Sequence, residues 1–271
     1  MGKILGFVSI KGGVGKTTLA LETASSLAND FGRRVLLVDA NFSAPNLSFY
    51  LGIEPELTLH DVLSDTTKFG VHNAVYERHG FDIVPAALIY KREVDVFKLK
   101  NILSKIKDKY DFVILDSSPN YYELVPVVVA SDKLFIVTTP DFPTLNTSFK
   151  AARLARKNKT PVEGIIINKI RNPKYEASLK DIEEGLEIPV VARILDNKGM
   201  SEALFYNTPM TLHKERDVFS KEVRRFASAL CGLPEANPGF LERLIPFQNR
   251  MRKEKVNREL MRQKFYEEQF N

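Results

Sequence analysis

The sequence predicts an α/β fold in three layers, a mostly parallel sheet with helices on both faces, continued by a C-terminal helical tail. Three observations predict it. Short β-branched and aromatic runs alternate with longer helical patterns as far as Leu230, and such alternation implies parallel strands joined by right-handed crossovers. Most of the strand-like runs are apolar throughout, as expected of strands covered on both faces. The polar clusters fall just after strands, where ligands of such sheets bind.

The elements follow in order. Residues 3–9 (KILGFVS) and 34–39 (RVLLVD) are short apolar runs, and a helical pattern at 17–29 lies between them. Residues 81–84 (FDIV) form a shorter run, and helical spacing resumes at 96–109 before the run 112–116 (FVILD). Residues 133–138 (KLFIVT), 164–168 (GIIIN) and 190–194 (VVARI) complete the strands, with further helices expected at 145–158 and 219–230. Short β-branched and aromatic runs read as strands, whereas longer stretches with apolar residues three and four apart read as helices. After Leu233 the segment PEANPG carries two prolines and a glycine. It marks a boundary near Pro234 between a core, residues 1–234, and an appendage, residues 235–271.

Composition limits the functions open to the chain. Its 271 residues are 44% hydrophobic and 27% charged, which suits one sizeable core and not a disordered chain. The single cysteine, Cys231, excludes a disulfide framework and any zinc or iron–sulfur site built by one chain from several thiolates. His60, His72, His79 and His213 show no ligand-like spacing. The opening MGKILGFVSI has no leader pattern and no run of about 18 apolar residues occurs, so a cytoplasmic protein is expected. Lys and Arg number 39 against 34 Asp and Glu, a formal charge of +5, yet residues 248–264 alone hold seven basic and two acidic residues. That stretch carries the whole excess. The rest of the chain is formally neutral, which makes a DNA-binding surface spread over the fold the less expected reading.

The segment richest in chemistry joins the first strand to the first helix: Lys11-Gly12-Gly13-Val14-Gly15-Lys16-Thr17-Thr18. Its glycines let backbone N–H groups converge on phosphate oxygens without Cβ interference, and the helix that follows adds its positive N-terminal end. In such a loop Lys16 reaches the β- and γ-phosphates and the Thr17 hydroxyl sits on Mg2+. The strict pattern asks for a glycine where Ile10 stands, but strand, loop and helix in this order still imply nucleotide binding.

With a lysine at each end, the loop resembles the deviant Walker motif of the MinD/ParA family of P-loop ATPases, and the likeness extends over residues 1 to about 230. The resemblance implies a three-layer P-loop NTPase fold, ATP and Mg2+ as cofactors, and an ATP-dependent homodimer in which Lys11 crosses the interface to the partner's nucleotide. Residues 35–41 (VLLVDAN) end where the family carries switch I, and residues 112–119 (FVILDSSP) resemble its Walker B and switch II. On this likeness Lys11, Lys16, Asp39 and Asn41 are the catalytic residues, and Thr17, Asp39 and Asp116 are the metal set. Asn168 matches a position from which the family reads the adenine edge, and Leu195 and Asp196 lie beside the base. Two departures stand out. The family's Asp-x-Asp after strand two is Asp39-Ala40-Asn41 here, and Asn120 replaces a glycine typical of switch II. An amide can orient water but takes no proton, so slow ATP hydrolysis is expected.

The tail indicates what such a dimer would bind. Residues 239–247 (GFLERLIPF) resemble the membrane-targeting helix found in the MinD branch of the family. At about 100° per residue, Phe240, Leu241, Leu244, Ile245 and Phe247 share one arc, with Glu242 and Arg243 opposite. A helix packed on the core is the alternative. For the basic helix expected at 248–264, a solvated face, lipid contact and a partner-binding or self-pairing helix all remain open. The expected protein is a MinD-type switch, peripheral at the inner face of the cell membrane through anionic lipid. There it would position or recruit a protein cargo and answer to an activator. A ParA-like segregation ATPase whose ATP dimer binds DNA nonspecifically is the alternative function.

Overall fold

The computed structural model describes residues 2–64, 69–90, 93–171 and 174–233. Among these described residues eight strands form one sheet: β1 (Lys3–Val8), β2 (Val35–Ala40), β3 (Tyr76–Arg78), β4 (Phe81–Val84), β5 (Phe112–Ser117), β6 (Lys133–Thr138), β7 (Val162–Ile170) and β8 (Val190–Leu195). Their order is β3-β4-β2-β5-β1-β6-β7-β8. Every neighbouring pair is parallel except β3 with β4, at the edge. The helices are α1 (Lys16–Asn29), α2 (Leu47–Leu51), α3 (Leu59–Leu63), α4 (Leu99–Ser104), α5 (Tyr121–Ala130), α6 (Phe142–Lys157), α7 (Leu179–Leu186), α8 (Met200–Phe205), α9 (Met210–His213) and α10 (Val218–Leu230).

Side chains alternate across the central strands, but both faces are buried. Leu5 and Phe7 of β1, Leu37 of β2 and Ile114 of β5 pack with Leu19, Leu27, Val223 and Phe226 of α1 and α10. Ile4, Val8, Leu36, Val38, Val113 and Leu115 face the opposite layer, with Leu103, Leu124, Val127 and Leu154 of α4, α5 and α6. Two covered faces explain why these strands read as unbroken apolar runs. The connection from β1 leads across β5 to β2, while that from β5 leads across β1 to β6. The crossovers diverge there, and a crevice opens outside the carboxyl ends of β1 and β5.

The expected three-layer, mostly parallel fold is present, and the differences lie at its periphery. The edge strand β3 has the sequence YER, one half-buried tyrosine and two exposed charges, which gives no apolar run to detect. The single helix expected at 96–109 is a 3-10 turn at Val96–Lys98, the short α4 and a second 3-10 turn at Lys107–Lys109. Helix α5 holds four valines and an internal Pro126, a composition that favours strand over helix. The Asn120 side chain caps it by accepting from Tyr122 N–H, and burial of Leu124, Val127 and Val128 outweighs propensity. The appendage 235–271, including Phe240, Leu241, Leu244, Ile245, Phe247 and the basic stretch 248–264, lies outside the described residues.

Candidate nucleotide site

The loop between β1 and α1 owes its shape to two left-handed glycines, Gly13 at φ 76° and Gly15 at φ 94°. Gly15 is the N-cap of α1 and offers no side-chain cap, so the first N–H groups of the helix remain open to an anion. A Cβ on Gly15 would also collide with the Asn168 amide. Lys16 is only 6% exposed, and its ammonium lies 3.5 Å from the Lys11 carbonyl. Burial pulls its pKa down, and the Asp116 charge partly restores it. Lys11, at the other end of the loop, is exposed.

Two carboxylates sit side by side at the carboxyl ends of adjacent strands, because Asp39 of β2 and Asp116 of β5 are register partners. Both are 0% exposed. Burial, reinforced by the Asp116 charge, pushes the Asp39 carboxyl well above the usual range. Burial also raises Asp116, against the opposing pull of Thr17 and Lys16. Their surroundings differ. Asp39 accepts N–H bonds from Asn41 (3.2 Å), Asn46 (3.2 Å) and Leu47 (3.1 Å), fixing the turn that leads into α2. Among the described residues neither oxygen of Asp116 has a donor in hydrogen-bonding geometry, although the Thr17 hydroxyl is close enough to favour its charge. A buried carboxylate without donors, beside a hydroxyl and below a phosphate-type loop, suits a hard cation such as Mg2+.

Asn41 donates from Nδ2 to the Ala44 carbonyl at 2.5 Å, while its buried Oδ1 has no partner among the described residues. Glu123 links this turn to the one after β5, accepting from Ser43 N–H at 3.1 Å and from the Asn120 amide at 3.4 Å. A cleft of about 500 Å³ opens over the loop. Gly12, Gly13, Gly15, Lys16, Thr17, Thr18 and Asn41 line one end, and Asn168, Leu195 and Asp196 stand further along it. Asp39 and Asp116 are not among its walls, and Lys11 and Val14 also lie outside them. One N–H of the Asn168 amide is given to the Val14 carbonyl at 2.8 Å, which leaves its second N–H and its oxygen able to meet a base.

Sequence reasoning missed Tyr50, Lys169, Asn197, Met200, Leu204 and Phe219, all of which line the cleft. Lys169 follows Asn168 directly and could have been flagged with it. Met200, Leu204 and Phe219 form an apolar wall from α8 and the start of α10, which no local pattern announces. Glu22 of α1 braces that wall from behind. Buried and raised to about 7 by desolvation, it accepts Met210 N–H at 2.7 Å and Thr211 N–H at 2.9 Å at the start of α9.

Similarity to known proteins agrees with this geometry. A family model described as the CobQ/CobB/MinD/ParA nucleotide binding domain matches residues 5–210. The chain is 28% identical to an uncharacterised ATP-binding protein of Methanocaldococcus jannaschii, over 84% of this chain and 87% of that one. It is 26% identical to the septum site-determining protein MinD of Bacillus subtilis, over 91% of this chain and 98% of the relative. The structure of Pyrococcus horikoshii MinD complexed with Mg-ADP superposes with a TM-score of 0.79 at 25% identity, covering 85% of this chain and 96% of that one. Fold, loop geometry and the matched span together place this chain in the CobQ/CobB/MinD/ParA nucleotide-binding family, as a P-loop ATPase of the MinD/ParA type.

Proposed function

We propose that the protein is an ATP-dependent dimerising switch of the MinD kind. It works at the inner face of the cell membrane, holds to anionic lipid through its tail, and positions or recruits a partner protein. The observation that carries this reading is the rim of the nucleotide cleft. Phe49 and the edge-to-face pair Tyr121 and Tyr122 adjoin Tyr50 and Pro119 of the cleft wall along the chain, and they are 44% to 81% exposed. An apolar rim around an ATP site suits a face that closes on a second copy. The arrangement of Thr17 and Asp116 suits Mg2+, which when bound neutralises phosphate charge. This chain's own residues do the rest: loop N–H groups and Lys16 bind phosphate, and the unpartnered Asn41 oxygen can orient a water without taking its proton.

Slow turnover follows from that last feature. Asn41→Asp would supply a proton acceptor, and phosphate release at saturating ATP is expected to rise about 100-fold. An unchanged rate in a folded variant would remove Asn41 as the reason for slow hydrolysis.

Dimerisation would also gate membrane binding. Five apolar tail residues contribute at most ~1.5 to 3 kcal/mol each, offset by the ordering of the segment, so one tail binds weakly. A second tail on the same dimer can add ~10² to 10⁴ in avidity. Cosedimentation with anionic liposomes is therefore expected with ATP, and to be lost without ATP or on truncation after Pro238. DNA binding that requires ATP and survives truncation, without lipid binding, would instead favour a segregation role. The basic patch Arg153, Arg156, Lys157 and Lys159 around the end of α6 would then be the surface to examine.

A further inference from the structure

Asn168 and Lys169 are consecutive residues of β7, yet both side chains reach the same loop. Asn168 Nδ2 donates to the Val14 carbonyl at 2.8 Å, and Lys169 Nζ donates to the Gly13 carbonyl at 2.8 Å. Successive side chains of a regular strand point to opposite faces. Here the strand is irregular at this place: the pairing of β7 with β8 shifts register between Ile167 and Ile170. Lys169 also takes the left-handed backbone, at φ 55°, which a lysine seldom adopts. A local bulge thus directs two adjacent donors at two adjacent loop carbonyls.

We propose that Asn168 and Lys169 are a positioning pair that holds the phosphate loop ready for an anion before nucleotide arrives. A peptide plane has its carbonyl and N–H on opposite sides, so pinning the carbonyls of Gly13 and Val14 toward β7 turns the N–H groups that follow them away from β7, free to face a phosphate. If the pins are lost, only a fraction of the molecules present a competent loop, and the apparent Kd rises by the inverse of that fraction. The inference rests on this loop being the seat of the nucleotide.

The experiment is stopped-flow binding of a fluorescent ATP analogue to Lys169→Gly, Lys169→Arg and Lys16→Ala in the full chain. Glycine suits the left-handed backbone, so Lys169→Gly removes the donor without strain, and its Tm is expected to equal or exceed that of the wild type. Its association rate is expected to fall about tenfold with dissociation changed less than about twofold, the signature of lost preorganisation. Lys169→Arg, which keeps a donor, is expected to restore most of the association rate. An association rate equal to wild type in Lys169→Gly would overturn the proposal. So would a loss of affinity arising only from faster dissociation, which would make Lys169 a direct ligand contact. Lys16→Ala tests the seat separately: wild-type binding in that variant would place the nucleotide elsewhere, whatever Lys169→Gly does.

Discussion

Replacing Asp116 by asparagine is expected to raise the Tm of the nucleotide-free protein by about 2 to 8 °C and, in the same variant, to abolish Mg2+-dependent ATP hydrolysis. Both effects have one cause. Asp39, Asp116 and Lys16 are buried together, two carboxylates against one ammonium, and the oxygens of Asp116 have no donor. An unsatisfied buried charge costs about 1 to 3 kcal/mol or more, and the Asp116→Asn change would remove that charge and its repulsion of Asp39, which together outweigh the lost attraction to Lys16 because burial is the largest influence on both carboxyls. Lost with it is the oxygen set that suits the cation. The pH dependence has a definite sign. Both carboxylates have folded-state pKa values raised above those of an unfolded chain. Between the ordinary carboxylate range and those raised values the folded state holds more protons than the unfolded state, so stability is lost as pH rises across that window toward the folded-state pKa values. Melting curves without nucleotide should show that fall in the wild type and a shallower one in the variant. A lower Tm for Asp116→Asn across the range, or hydrolysis that persists, would break the link between the orphaned oxygens and the metal.

The same buried pair shows what the sequence made legible and what it hid. Asp39 and Asp116 were visible because each ends an apolar run, and a charge at such a boundary emerges at the carboxyl end of a strand. Their adjacency depends on β2 and β5 being neighbours in register, a matter of topology. The loop Lys11–Thr18 was legible for a local reason: its glycines, lysines and threonines are contiguous, so one stretch of chain carries the geometry. The base end of the cleft was not. Met200, Leu204 and Phe219 come from α8 and α10, on a remote part of the chain. An element of six residues, such as α8, contains too few turns for an apolar period to register. Helix α5 escaped because its valines and proline argue for strand, and only packing between two layers decides otherwise. The role of Asn168 shows a further limit. A motif places the residue near the nucleotide, but only the folded chain shows one of its amide N–H groups given to the Val14 carbonyl.

The two loop lysines should separate cleanly by mutation. Lys11→Ala is expected to leave ATP affinity within about threefold of wild type and to abolish ATP-dependent dimerisation, whereas Lys16→Ala should lose both. Their settings give the reason. Lys16 is 6% exposed and turned back along its own loop, toward the Lys11 carbonyl. Lys11 is exposed, and its ammonium has no hydrogen-bond or ion-pair partner among the described residues. An exposed cation at the edge of an anion site contributes little to its own chain, where solvent screens it. Its effect grows if a second copy closes over the cleft, because a desolvated ammonium–phosphate contact contributes about 1.5 to 3 kcal/mol, and a symmetric dimer makes two. Losing about 3 to 6 kcal/mol lowers the dimer constant by about 10² to 10⁴. At micromolar protein that loss shifts the ATP-bound population from dimer to monomer, which light scattering with a non-hydrolysable ATP analogue resolves directly. A dimer that persists in Lys11→Ala would deny the lysine its role across the interface. A collapse of ATP binding would show that Lys11 serves its own nucleotide, so that the apolar rim would have to hold two copies together unaided.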